Sequence, residues 1–263
     1  PGLVTASFTE PNISNEASLI EQLNRTATQA GIGRPRALSV ALPSGSARSH
    51  VITLDSVPSS RLEFTQLIEW KIERTFGQKI ADLKTSYTKL KDFHGRPQWL
   101  ATAIHQRVLE QYENIFKQMR WSVGLIVPQH LGEAQWLIRL RLDDDQIVVS
   151  LTEDGFTTVI VRKDEPILVR EVVCAPEERE DEFFRLLVFY RDRLLPADEP
   201  IRLSRVLTLG DVAEQRRFRD VVVSALENHV VSLDVQQIGL KVDPHAPFNQ
   251  FAAAGGLATT AWN

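Results

Sequence analysis

Two short stretches hold the side chains best placed to do chemistry. In Val149-Ser150-Leu151-Thr152-Glu153-Asp154-Gly155, an apolar run gives way to short polar residues and a glycine, and Phe156 opens a second apolar run. Backbone N–H groups and hydroxyls in a hairpin turn of this kind can cradle phosphate oxygens. In Leu207-Thr208-Leu209-Gly210-Asp211, a strand runs into a helix at a glycine, a residue that lets a ligand approach the backbone closely. Ser150, Thr152, Glu153, Gly210 and Asp211 are therefore the candidate ligand-facing residues. Taken alone, each stretch reads as an ordinary hairpin or an ordinary strand-to-helix turn.

Other chemistry finds little support. No Walker loop ending in Gly-Lys-Ser/Thr and no dinucleotide glycine fingerprint occurs. Gly31-Ile32-Gly33 follows a helical pattern, so it reads as a helix end, whereas a dinucleotide turn must begin one. The six histidines, at 50, 94, 105, 130, 229 and 245, lack metal-site spacing and read as surface or locally hydrogen-bonded residues. Asp143-Asp144-Asp145 lacks the glycine and distant glutamate of a calcium loop and reads as a solvated turn. Cys174, ahead of Ala175-Pro176, reads as a small buried hydrophobe. The acidic run 177–182 suits the first turns of a helix, where it complements the macrodipole. A protein-docking face is the alternative for that run.

The composition sets the frame. With 263 residues, 43% apolar and 24% charged, the chain is globular and long enough for a substantial core. Its formal net charge of −4 argues against a dedicated nucleic-acid binder. One cysteine makes neither an intramolecular disulfide nor a multi-thiolate zinc site, and suits a reducing compartment. No apolar run approaches the ~20 residues of a membrane helix, and no signal peptide is visible.

The elements that must position the two stretches follow from periodicity. Leu19, Ile20, Leu23, Ala27 and Ala30 line one helical face behind a cap at Ser14 or Asn15. A strand is expected at 37–42, with 50–54 as its hairpin mate across Pro43-Ser44-Gly45-Ser46. A helix carries Phe64, Leu67, Ile68 and Ile72, extended segments at 82–90 and 98–104 flank a turn, and a helix carries Leu109, Tyr112, Ile115, Phe116 and Met119. A strand at 123–127 and a helix at 130–137 close the first half. The second half opens with three strands (146–151, 157–162, 167–173). It continues with a helix at 178–195, a strand at 205–209, a helix at 213–226, an extended stretch at 230–240 and a small-residue helix at 249–260. The expectation is an α/β fold built on a duplicated βββαβα unit. Residues 1–138 form a first lobe lacking its leading three strands and interrupted by an insertion at about 43–90, and residues 139–263 form the second lobe.

At these residues the chain resembles the PilM family of type IV pilus assembly proteins, relatives of FtsA with the actin-like fold. Ala37-Leu38-Ser39-Val40-Ala41-Leu42-Pro43 resembles the strand before the family's inserted subdomain, and Ile52-Thr53-Leu54 the one after it. Residues 64–71 and 101–121 resemble the helices that follow, and 149–170 the second phosphate hairpin. Residues 206–210 and the closing Ala252-Ala253-Ala254-Gly255-Gly256-Leu257-Ala258 are similar to the adenosine strand and the C-terminal helix.

The resemblance implies two lobes around a nucleotide cleft and a groove near the insertion for a cytoplasmic peptide of a PilN-like membrane protein. It implies a scaffolding role on the inner-membrane platform of a pilus or related secretion system, with the protein cytoplasmic and reaching the membrane only through its partner. The departures concern the cleft. Ser150-Leu151-Thr152 stands where the family has Asp-hydrophobic-Gly, which removes a carboxylate that helps hold magnesium and crowds the turn. Gly210-Asp211 stands where the family has Gly-Gly, which sets a carboxylate near the ligand's negative charge. The first phosphate loop has no counterpart. Weak or absent ATP binding and no hydrolysis are expected, so no cofactor is required. Within the same superfamily, a small-molecule kinase or ATPase is the alternative reading, disfavoured by Ser150 and Thr152. An FtsA-like divisome protein is disfavoured by the lack of an amphipathic C-terminal helix.

Overall fold

The computed structural model describes residues 15–33, 38–195, 200–239 and 248–260. Helix α1 (Glu16–Gln29) starts where the Asn15 side chain accepts the Ser18 N–H at 2.8 Å, which satisfies a donor that the first helical turn leaves unpaired. It ends at Gly31, whose φ of 66° suits glycine. The alternative cap, Ser14, and the first residue of the expected strand, Ala37, lie outside the described residues.

Strand β1 (Leu38–Leu42) is followed by a turn in which Ser46 N–H reaches the Pro43 carbonyl at 3.1 Å. The expected hairpin does not form. β2 (Ala47–Thr53) leaves β1 and joins a separate three-stranded sheet with β3 (Leu83–Phe93) and β4 (Arg96–His105), in the order β2-β4-β3. β1 instead pairs in parallel with β5 (Val123–Pro128). The insertion's sheet therefore includes β4 and runs past the expected end near Leu90, because the β3–β4 hairpin keeps both strands together. At its tip, His94 and Gly95 both take positive φ, 49° and 72°, as a tight two-residue hairpin turn requires. Helix α2 (Arg61–Phe76) seals one face with Ile68, Ile72 and Phe76 against Ile52, Trp99 and Ala101, so the insertion has its own core. Helices α3 (Gln106–Gln118) and α4 (Gln129–Ile138) flank β5 in sequence.

The second lobe follows the expected order. β6 (Asp145–Thr152), β7 (Gly155–Arg162) and β8 (Glu165–Val173) form an antiparallel meander. Helix α5 (Arg179–Phe189) runs into a π-helical turn, Tyr190–Leu194. β9 (Leu203–Leu209), α6 (Val212–Leu226), β10 (Val231–Ser232) and α7 (Phe248–Thr260) complete it. The five-stranded sheet is ordered β10-β9-β6-β7-β8, with β9 parallel to both β6 and β10. β1 and β5 are likewise parallel, but among the described residues the first lobe has no counterpart of the β6–β8 meander. The extended stretch expected at 230–240 shrinks to Val231–Ser232. Asp234 and Gln237 then exchange side-chain-to-backbone hydrogen bonds of 2.8 and 2.9 Å, which fold the chain into turns up to Gly239.

Alternation along β6 sends Ile147 and Val149 to a layer with Phe156, Phe183, Leu187 and Phe218 under α5 and α6. Val148 faces the opposite layer, with Val159, Leu207, Trp136, Leu137 and Ala252 under α4 and α7. One expectation needs correction here. Asp143 and Asp144 are exposed, but Asp145 is fully buried. Its carboxylate accepts Arg162 at 2.8 and 2.7 Å and the Tyr190 hydroxyl at 2.6 Å. A buried charge requires such partners, and these tie the start of β6 to β7 and to the π-helical turn that follows α5.

Candidate functional site

The tertiary structure gathers the two stretches at one end of the second lobe. Parallel pairing of Ser150 with Leu209 sets the tip of the β6–β7 hairpin beside Gly210 and Asp211. Gly155 forms the tip with φ 142°; a Cβ there would lie 2.0 Å from the Val172 carbonyl oxygen, so the turn requires glycine.

Ser150 is buried on the α4 face, where its hydroxyl donates to Glu133 Oε1 at 3.1 Å. Gln129 donates to the same oxygen at 2.7 Å. Burial pushes the Glu133 carboxyl up to about 7, against the pull of these two hydrogen bonds. Three residues before Glu133 in α4, His130 is buried with Nε2 unpartnered, contrary to the surface or locally bonded role expected of it. Thr157, directly across the ladder from Ser150, also has a buried, unpartnered hydroxyl.

Thr152 and Glu153 contribute backbone carbonyls. Arg179, the first residue of α5, donates through Nη2 to both, at 3.1 Å in the case of Glu153. Its Nη1 also lies 3.9 Å from Glu214 Oε1. Asp211 caps α6: its carboxylate accepts the Glu214 N–H, and Glu214 Oε2 accepts the Asp211 N–H, both at 2.8 Å. This reciprocal pair uses two donors that an anion at a helix start would otherwise meet. The space beside Gly210 is filled as well. A Cβ on Gly210 would sit 2.5 Å from Glu214 Oε2 and 2.9 Å from Leu151 Cδ1. At the α6 start, Asp211 and Glu214 thus turn their carboxylates onto each other's backbone N–H, with the Arg179 guanidinium beside Glu214.

All five candidate residues share this end of the lobe, but they meet through residues outside the set: Glu133, Arg179 and Glu214. The D-x-x-E spacing from Asp211 to Glu214 is a readable capping signal. Arg179 is concealed within an acidic run, and nothing in the sequence marks Glu133 as buried. Among the described residues, no group of three or more His, Cys, Asp or Glu could hold a metal ion.

A second feature lies in the first lobe. A groove of about 430 Å³ separates the insertion's sheet from α3 and β5. Lys84 and Ser86 of β3 and Ile104 of β4 line one wall, and Leu109, Gly124 and Leu125 line the other. Among the described residues β5 is hydrogen-bonded only to β1, and Leu125 is 42% exposed. An open strand edge beside apolar side chains suits an extended peptide, whose backbone it can pair and whose side chains it can bury.

No family model and no curated protein matches the sequence. Among solved structures, the PilM-PilN type IV pilus biogenesis complex matches with a TM-score of 0.72 and 16% identity, over 98% of this chain and 92% of that one. The chain has the PilM-type actin-like fold. A Bacteroides thetaiotaomicron protein of actin-like ATPase fold and unknown function matches with a TM-score of 0.53 and 12% identity, over 89% of this chain and 84% of that one. The TM-scores establish likeness of fold, and at these identities the likeness is of fold alone. In this fold the hairpin tip and the α6 start belong to the second lobe, and the groove lies between the first lobe and its insertion. No helix among the described residues is long and apolar enough to cross a membrane.

Proposed function

We propose that this chain is an actin-like scaffold of a type IV pilus or related secretion platform, taking a cytoplasmic peptide of a PilN-like membrane protein into the groove between β3, α3 and β5. The observation that carries the reading is that groove, with its open β5 edge and exposed Leu125, in a chain whose fold matches that of a PilM-PilN complex. The protein acts at the cytoplasmic face of the inner membrane and is held there by its partner. The test is capture of a synthetic peptide that carries the cytoplasmic segment of a PilN-like membrane protein. Saturable binding is expected, and its absence with the chain folded overturns the reading.

The second-lobe cleft is degenerate in this reading, and the chain is not an enzyme. Glu214 over Gly210 and the Asp211 cap support that assignment, because they occupy the position and the donors a phosphate needs. The residues present do not fit ATP with magnesium, so no catalytic step is assigned to them. A one-site nucleotide binder at a hundredfold excess over Kd gains about 2.7 kcal/mol of stability. No comparable melting shift is expected with Mg-ATP. A large one restores the kinase or ATPase alternative.

A further inference from the structure

The inserted unit meets the second lobe through charged groups along β8. At the turn before β8, Lys91 donates through Nζ to Asp164 at 2.6 Å and through its backbone N–H to Glu165 at 2.8 Å. The backbone contact exists because the β3–β4 register breaks between Leu90 and Phe93, which frees that N–H from the ladder. Farther along, Arg48 of β2 lies 3.5 Å from Glu171. The receiving turn is anchored from behind, since Arg162 next to it is fixed by buried Asp145.

Between these ionic contacts, Val51 and Leu100 rest against the apolar layer of the second lobe. The core of Ile52, Ile68, Ile72 and Trp99 belongs to the insertion alone. The insertion is therefore a body with its own core, seated on β8 at one side and walling the groove at the other. A single strand serves both contacts: β3 lines the groove at Lys84–Ser86 and reaches the second lobe at Lys91. About 17 Å of extended chain separates Ser86 from Lys91.

We propose that the contact of Lys91 with Asp164 and Glu165 is a latch that holds the peptide groove in its receptive width, so that peptide occupancy and seating of the insertion on β8 are coupled. This rests on the peptide reading above. Coupling of this kind is reciprocal: what the latch does for peptide affinity, bound peptide does for the latch.

Backbone amide exchange on the full chain, with and without a synthetic peptide carrying the cytoplasmic segment of a PilN-like membrane protein, tests one direction. Bound peptide is expected to slow exchange in the groove at 84–86 and 123–126 and also, outside it, at the Lys91 amide. Affinity tests the other. Asp164→Lys is expected to weaken peptide binding about two- to fivefold, the range an exposed ion pair supplies, and the charge-conserving Asp164→Glu to leave it near that of the unaltered chain. Asp164 is exposed, and the exchange measurement needs only the unaltered chain should a variant misfold. Groove protection without a change at Lys91, or an unaltered affinity in folded Asp164→Lys, overturns the latch and leaves the peptide reading standing. Absence of groove protection removes both.

Discussion

Gly132 of α4 and Gly256 of α7 cross with so little clearance that a Cβ on Gly256 would lie 1.9 Å from the Gly132 carbonyl oxygen. The reverse contact is nearly as close, since a Cβ on Gly132 would meet the Ala253 carbonyl oxygen at 2.7 Å. Trp136 locks the crossing, its indole N–H donating to the Ala252 carbonyl at 2.7 Å. The final helix of each half is thereby joined to the other at backbone distance.

Gly256→Ala is expected to destabilise the fold by about 3 kcal/mol or more, at the upper end of overpacking because the obstacle is backbone. The better helix propensity of alanine recovers only about 1 kcal/mol. Urea unfolding measures the loss, and an unchanged midpoint would contradict the crossing.

Asp145→Ala leaves Arg162 and the Tyr190 hydroxyl without their shared acceptor inside the second lobe. Removing one partner from a buried charge pair costs about 3–5 kcal/mol. A loss below about 1 kcal/mol would mean that the cluster is open to water.

The Glu133 carboxyl gives a pH dependence of definite sign. Burial raises it from 4.5 to about 7, so between those values the folded chain binds the proton that the unfolded chain has released. Its contribution to stability is complete at low pH and is lost as pH rises through about 7. His130 and His50 act oppositely. Both are lowered to about 4 by burial, with Arg170 adding to the effect on His50, so they favour the fold increasingly as pH rises towards 6.5. Comparison with Glu133→Gln isolates the carboxyl. Relative to the variant, the unaltered chain should lose stability between about pH 4.5 and 7, by up to a few kcal/mol. Parallel pH curves would rule this out.

Leu125→Arg tests the groove. Leu125 is 42% exposed, and a surface change of this kind moves stability by only about 0.5 kcal/mol. Peptide capture should fall about tenfold or more, as when an apolar anchor of an interface is lost. Full capture by the variant would place the peptide elsewhere.

The order of elements was legible in the sequence wherever burial imposes a local period. Phe64, Ile68 and Ile72 mark α2, and the apolar-rich runs 147–151 and 156–161 mark β6 and β7, which are buried on both faces. The positive φ at His94 and Gly95 falls within the turn-rich stretch that separates β3 from β4. Ser150, Thr152, Glu153, Gly210 and Asp211 could be singled out because short polar residues and glycine at strand ends are local signals.

What local patterns could not settle was which strand takes which partner. β2 follows a competent turn after β1, yet its hydrogen bonds go to β4, about fifty residues later in the chain. Register over such separations is decided by which faces must be buried together, a property of the assembled core. The same holds for chemistry at the second-lobe site. Whether Gly210 opens onto a ligand or onto Glu214, whether Ser150 faces water or Glu133, and whether Asp145 is a solvated turn residue or a buried anchor depend on neighbours supplied by other elements. The sequence by itself determined the two-part α/β plan and the residues worth watching. Only the tertiary structure decided their partners, because burial and electrostatic environment are set by contacts between segments far apart in the chain.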